Sequence, residues 1–149
     1  MTEVWFYHLE SKTLDQVLPD LLERTLSRGW LAVVRAGSPE RVSALDSHLW
    51  TYRDDSFLPH GTAAEGNEDL QPIFLTTGTG RPNQANVLFL VDGAGLDGAG
   101  DYDRCVDIFD GRDEGAVAAA RDRWRQAKSL GFSVTYWQQN DEGRWEKKA

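Results

Sequence analysis

The segment "RDRWRQAKSLGF" places four cations, Arg121, Arg123, Arg125 and Lys128, around Trp124 in a chain whose formal net charge is -8. With Arg121 at zero on a helical wheel, Lys128 falls at about -20° and Arg125 at about +40°, so these three share one face. Trp124 falls at about -60°, between that stripe and the apolar side made by Val117, Ala120 and Ala127. An indole at such a border can pack inward along one edge and line a shallow pocket with the other. A guanidinium grips a carboxylate through two parallel hydrogen bonds. Together they suit a peptide that ends in an apolar residue and a terminal carboxylate, preceded by acidic residues. The competing reading is a solvated outer face with Trp124 in the core.

Other chemistry-bearing patterns are weaker. "GAGLDG" (Gly93–Gly98) matches the glycine fingerprint of dinucleotide binding and follows a strand-like run. That chemistry requires a helix N-terminus directly after the glycines, and "AGDYDRC" offers none. Asp92, Asp97, Asp101 and Asp103 would also set like charge against phosphates. A flexible acidic loop is the expectation, with a nucleotide-binding α/β enzyme using Gly93–Gly98 as the alternative. The same aspartates lack the spacing of a calcium loop. The three histidines are scattered and Cys105 is alone, so neither a metal centre nor a disulfide is expected. No "GxSxG" elbow and no phosphate loop is present. No catalytic residue and no cofactor is assigned.

Charge bounds the partners. With 24 carboxylates against 16 cations, the long-range field repels nucleic acid, and direct nucleic-acid binding is not expected. No apolar run reaches the length of a membrane span, so no membrane partner is expected. "MTEVWFYHLE" lacks a basic start followed by an apolar run. No secretory signal is therefore read, and the cytoplasm is the expected compartment.

The elements that must position these residues follow from periodicity. "EVWFYHL" reads as a first strand. Leu14, Val17, Leu18, Leu21, Leu22 and Leu26 recur at helical spacing after Thr13, although Pro19 predicts a kink or a late start. "WLAVVRA" is an apolar strand of the kind covered on both faces. Ser38 and Pro39 open a helix that faces Val42, Leu45 and Leu49 inward. "PIFLTT", "NVLFLVD" and "CVDIFD" follow as strands, then a helix over 113–130 that stops at Gly131, then "FSVTYWQ". The tail after Gln138 pairs back or frays. Alternation of strands and helices predicts one α/β domain over 1–149 with a mostly parallel sheet. The absence of helices between residues 72 and 110 predicts that the sheet is mixed.

"LDSHLWTYRDDSFLPHG" (Leu45–Gly61) resembles the signature of the chi subunit of bacterial DNA polymerase III holoenzyme. The resemblance rests on Leu45, Asp46, Leu49, Trp50, Ser56, Phe57, Pro59 and His60. An N-terminal "FY" strand, a helix ending in "RG", "NVLFLVD" and a closing "RxRWxxxxxxGF" align in order. The resemblance implies a three-layer α/β/α sandwich, Rossmann-like without a nucleotide site. It also implies a non-enzymatic accessory role at the clamp loader. The implied partners are the acidic C-terminal tail of single-stranded-DNA-binding protein, which ends in a phenylalanine carboxylate, and a psi subunit or equivalent. By the same resemblance, Arg121 holds the terminal carboxylate and Trp124 contacts the phenylalanine. Arg125 and Lys128 attract the acidic residues, and Phe132 and Tyr136 complete the wall. Trp50 and Phe57 meet the psi partner, with Pro59 and His60 shaping the loop.

Overall fold

Strand alternation writes two opposite faces into this chain. In β1 (Glu3–Leu9), Val4 and Phe6 point to one apolar cluster while Trp5, Tyr7 and Leu9 point to the other. β2 (Ala32–Arg35), β5 (Val87–Leu90) and β6 (Arg104–Asp110) split in the same way. A sheet that is apolar on both faces must be covered twice. α1 (Leu14–Ser27) and α2 (Pro39–Thr51) bury Leu18, Leu22, Leu45 and Leu49 against one face. α3 (Glu114–Ser129) buries Ala120 and Ala127 on the other. The architecture is therefore a three-layer α/β/α sandwich. The computed structural model describes residues 2–52 and 58–148.

β3 (Gly61–Thr62), β4 (Ile73–Thr76), β7 (Ser133–Gln139) and β8 (Trp145–Lys147) complete an eight-stranded sheet in the order β3-β4-β2-β5-β6-β1-β7-β8. Every pairing is parallel except that of β7 with β8. The sheet is mixed, as expected, but for a different reason. β4, β5 and β6 are joined by loops without α-helices and still run parallel, and the antiparallel member is the C-terminal hairpin strand.

Pro19 neither delays nor ends α1, which runs from Leu14 through the proline. A proline at this position has no N–H for the carbonyl of Asp15, four residues earlier. His48 of α2 lies with Nε2 2.6 Å from that carbonyl and supplies the missing donor. The gap in one helix thus becomes a joint between two.

The glycine-rich segment after β5 differs from the flexible loop expected. Ala94, Leu96, Ala99 and Tyr102 are buried in the second apolar cluster. Arg35, at the end of β2 and 3% exposed, donates to the carbonyls of Gly78, Gly95 and Asp97 at 2.9, 2.7 and 2.8 Å. One buried guanidinium thereby ties two loops over the edge of α3's layer. Gly111 is required by close approach, since a Cβ there would lie 1.9 Å from Nε2 of His8 and 2.6 Å from the Leu9 carbonyl.

Candidate peptide-binding site

α3 is started by Asp113, whose Oδ1 accepts from the amides of Gly115 and Ala116 at 2.9 and 3.1 Å. It is ended by Gly131 at φ 85°, a left-handed turn that glycine adopts without strain. Small residues at Ala120 and Ala127 let the helix lie close on β6, β1 and β7. The register pairs Phe6 of β1 with Tyr136 of β7, directly beneath Trp124.

Three rings meet there. Trp124 is half-buried, with its ring centroid 5.5 Å from Phe6 and 5.7 Å from Tyr136, both edge-on. A cavity of about 150 Å³ opens beside them, lined by Phe109, Val117, Ala120, Arg121, Trp124 and Tyr136. Arg121 is its cation, and among the described residues it makes neither hydrogen bond nor ion pair. The hydroxyl of Tyr136 meets Nδ1 of His8 at 2.5 Å. Burial pushes the Tyr136 phenol above its ordinary range. Burial also holds His8 below the usual imidazole range, and Arg121 pushes the same way against the opposing pull of Glu10 and Asp110. The rim is electropositive and the floor apolar, which suits an anion carrying an apolar group.

The structure divides the predicted set. Arg121, Trp124 and Tyr136 share the cavity. Lys128 stands beside it, with Nζ 4.8 Å from the Trp124 ring centroid. Arg125 does not line it and pairs with Asp122 at 3.0 Å, both side chains largely exposed. Phe132 does not line it either, and packs in the second apolar cluster toward Gly100. Sequence reading missed Phe109 and His8. Period-two alternation was the available signal, because each falls on the strand face that already carries Cys105 or Phe6.

At the second predicted surface, Trp50 is 47% exposed at the end of α2, with its ring centroid 4.2 Å from that of His60. His60 is buried, contrary to a role in direct partner contact. Its Nδ1 lies 2.6 Å from the Leu58 carbonyl, and its Nε2 lies 3.0 Å from the Asp46 carbonyl. His60 therefore closes the loop onto α2, and Pro59 is half-buried beside it. Phe57, with Ser56, lies outside the described residues.

The position where open parallel sheets bind ligands is also occupied by a cavity, of about 620 Å³, beyond the carboxyl ends of β1, β5 and β6. Its charges are internally matched. Arg41 pairs with Asp92 at 2.6 Å and with Asp15 at 3.2 Å, and Arg112 pairs with Asp110 at 3.2 Å. Arg123 makes two bonds to Asp107, and Asp113 already caps the nearby helix N-terminus. The Gly93–Gly98 segment leads into a 3-10 turn at Ala99–Asp101 rather than an α-helix. Neither place presents an unmatched cation or a helix N-terminus to a pyrophosphate. Among the described residues no cluster of three His, Cys, Asp or Glu side chains could hold a metal ion, and no helix is long and apolar enough to cross a membrane. Burial pushes the Cys105 thiol far up, so it behaves as a small core residue.

Comparison with known proteins accounts for the motif around α2. The C-terminal domain of the DEAD-box protein Dbp5 superposes with a TM-score of 0.57 at 10% identity, over 91% of this chain and 90% of that one, which is a likeness of fold alone. A Pseudomonas aeruginosa protein named DNA polymerase III subunit chi is 27% identical over 138 residues, covering 90% of this chain and 94% of its own. A Rickettsia prowazekii protein named "Probable DNA polymerase III subunit chi" is 26% identical over 91 residues, covering 61% of this chain and 55% of its own. The family model described as DNA polymerase III chi subunit, HolC, matches residues 1–135, and the chain belongs to that family.

Proposed function

We propose that this chain is a non-catalytic accessory subunit that binds the acidic C-terminal tail of single-stranded-DNA-binding protein and links it to the clamp loader. Family membership supports the replication role. The observation that carries the tail-binding role is Arg121, an unmatched guanidinium on a chain of net charge -8, at the mouth of an apolar cavity walled by Trp124 and Tyr136. In so acidic a protein a neighbouring carboxylate could readily pair with such a cation, yet none does among the described residues, and an intermolecular carboxylate is the natural partner. In this reading the terminal carboxylate meets Arg121 and the phenylalanine enters beside Trp124. Lys128 and Arg125 draw in the preceding acidic residues. Phe132 supports the wall from beneath rather than touching the peptide. Trp50, exposed at the end of α2, is offered to a psi subunit or equivalent clamp-loader component, together with Phe57.

The affinity for one tail is expected near micromolar, about -8 kcal/mol. Titration calorimetry with an acidic peptide ending in phenylalanine tests the site. Arg121→Ala weakens binding at least tenfold, about 1.4 kcal/mol. Amidating the peptide's C-terminus has a similar effect. Unchanged affinity in both experiments overturns the assignment.

A further inference from the structure

We propose a second peptide-binding site on the opposite face of the sheet, built from Arg24, Arg28 and Arg104 around Trp5 and Trp30, for an acidic segment carrying an apolar side chain. All five residues line one cavity of about 190 Å³, whose floor is Leu21, Val87 and Phe89. Arg24, in the last turn of α1, and Arg28, its C-cap, stand four residues apart on one helical face. The Arg28 guanidinium lies 4.6 Å from the Trp30 ring centroid. That of Arg104 lies 3.9 Å from Trp5 and 5.2 Å from Trp30. The result is a ladder in which arginine and tryptophan alternate across the wall of the cavity.

Pairing sets two of these arginines apart, Arg24 and Arg28. Elsewhere in this acidic chain, Arg35, Arg41, Arg81, Arg112, Arg123, Arg125 and Arg144 each meet a carboxylate or a carbonyl. Arg104 is paired as well, with Glu3 at 3.4 Å. Among the described residues, the side chains of Arg24 and Arg28 make neither hydrogen bond nor ion pair, a property they share with that of Arg121. The feature that marks the first site thus recurs on the other layer, again beside half-buried indoles and an apolar cavity.

The geometry chooses the ligand class. A single-stranded nucleic acid needs open aromatic faces for its bases. Here guanidinium groups already lie over Trp5 and Trp30. Stacked guanidinium groups still present their N–H edges, which match carboxylates two bonds at a time. Three spaced cations favour several carboxylates flanking one apolar side chain, rather than a single terminal carboxylate.

The test uses the full chain and the blocked peptide acetyl-Asp-Glu-Asp-Phe-Asp-Glu-Asp-amide, which has no terminal carboxylate. Binding is followed by calorimetry and by the indole N–H signals of the isotopically labelled protein. The expected result is that the signals of Trp5 and Trp30 move and that of Trp124 does not. The R24A/R28A double variant weakens binding at least tenfold, and R121A changes it less than twofold. Both arginines of the double variant are exposed, so its melting temperature serves as the check on folding, and the wild-type signals locate the site independently. Absence of peptide binding, equal binding by the double variant, or loss of binding in R121A overturns the proposal. So does binding of a thymidine oligonucleotide that the double variant alone abolishes. The Arg121 pocket stands or falls by its own variant.

Discussion

Arg123 belongs to the same run as Arg121 and Arg125, yet it does different work. It lies about 200° from Arg121 on the helical wheel, on the apolar side of α3. Its guanidinium bonds Asp107 at 2.5 and 3.1 Å, and the two side chains are 11% and 2% exposed. Burial pushes the Asp107 carboxyl above its ordinary range, and the guanidinium pulls it partly back. Removing one partner strands the other charge in the core. Asp107→Leu is expected to lower stability by about 3–5 kcal/mol, and Arg123→Met combined with it to recover most of that loss. Urea unfolding of the two variants decides the matter; a single variant as stable as the parent would show that the pair is not structural. The wheel left Arg123 off the three-cation face, but its partner Asp107 lies on another element, and a helical angle alone does not name it.

At the scale of elements, two joints carry predictions. The first is the bond from His48 to the carbonyl that Pro19 leaves unbonded. Pro19→Ala restores a donor within α1, so His48→Ala should cost less in that background than in the parent. The coupling in a double-mutant cycle is expected at about 0.5–1.5 kcal/mol, and additive losses would refute the joint. The second is Arg35. Arg35→Met keeps most of the volume but loses three carbonyl contacts. Amide exchange over residues 93–103 should then accelerate at least tenfold with β1 unaffected, and uniform acceleration would instead mean global loosening. Both joints mark what the sequence revealed and what it hid. β1, the cap at Ser38 and the stop at Gly131 were legible because their signals are local. The two-residue β3 was not, because Gly61 and Thr62 are too few to show an alternating pattern. Residues 93–102 read as a solvated loop because their aspartates are prominent. Their carbonyls at Gly95 and Asp97 are held by Arg35, 60 and 62 residues earlier. The chi-like motif was visible as a pattern, but its physical content was not. Leu45 and Leu49 are core, and Asp46 and His60 form the clasp on which Trp50 rests.

For the molecule as a whole, pH tests how burial at the site couples to folding. His8 sits on β1, between β6 and β7, with Tyr136 of β7 and Phe109 of β6 against its ring. Glu10, Asp110 and Arg121 are the charged groups that face it. Its folded-state pKa lies below the ordinary value near 6.5, chiefly because burial disfavours the imidazolium. The unfolded chain therefore binds the proton first as the solution is acidified. Stability is unaffected above the unfolded pKa and falls as pH drops through it and on toward the lower folded value. Asp110, held low by bonds from Arg112, contributes only at more acidic pH, and Asp107, pushed up by burial, is common to the parent and the His8 variant, so the comparison of the two isolates His8. Urea midpoints measured between about pH 7.5 and about pH 5.5 should decline for the parent. They should be flatter for His8→Gln, which loses the titrating group while keeping a polar side chain near Tyr136. The slope is the informative quantity, since the substitution lowers stability at every pH by disturbing the rings around it. Equal slopes would mean that the proton is taken up elsewhere and that His8 is no more buried from water than an ordinary surface histidine.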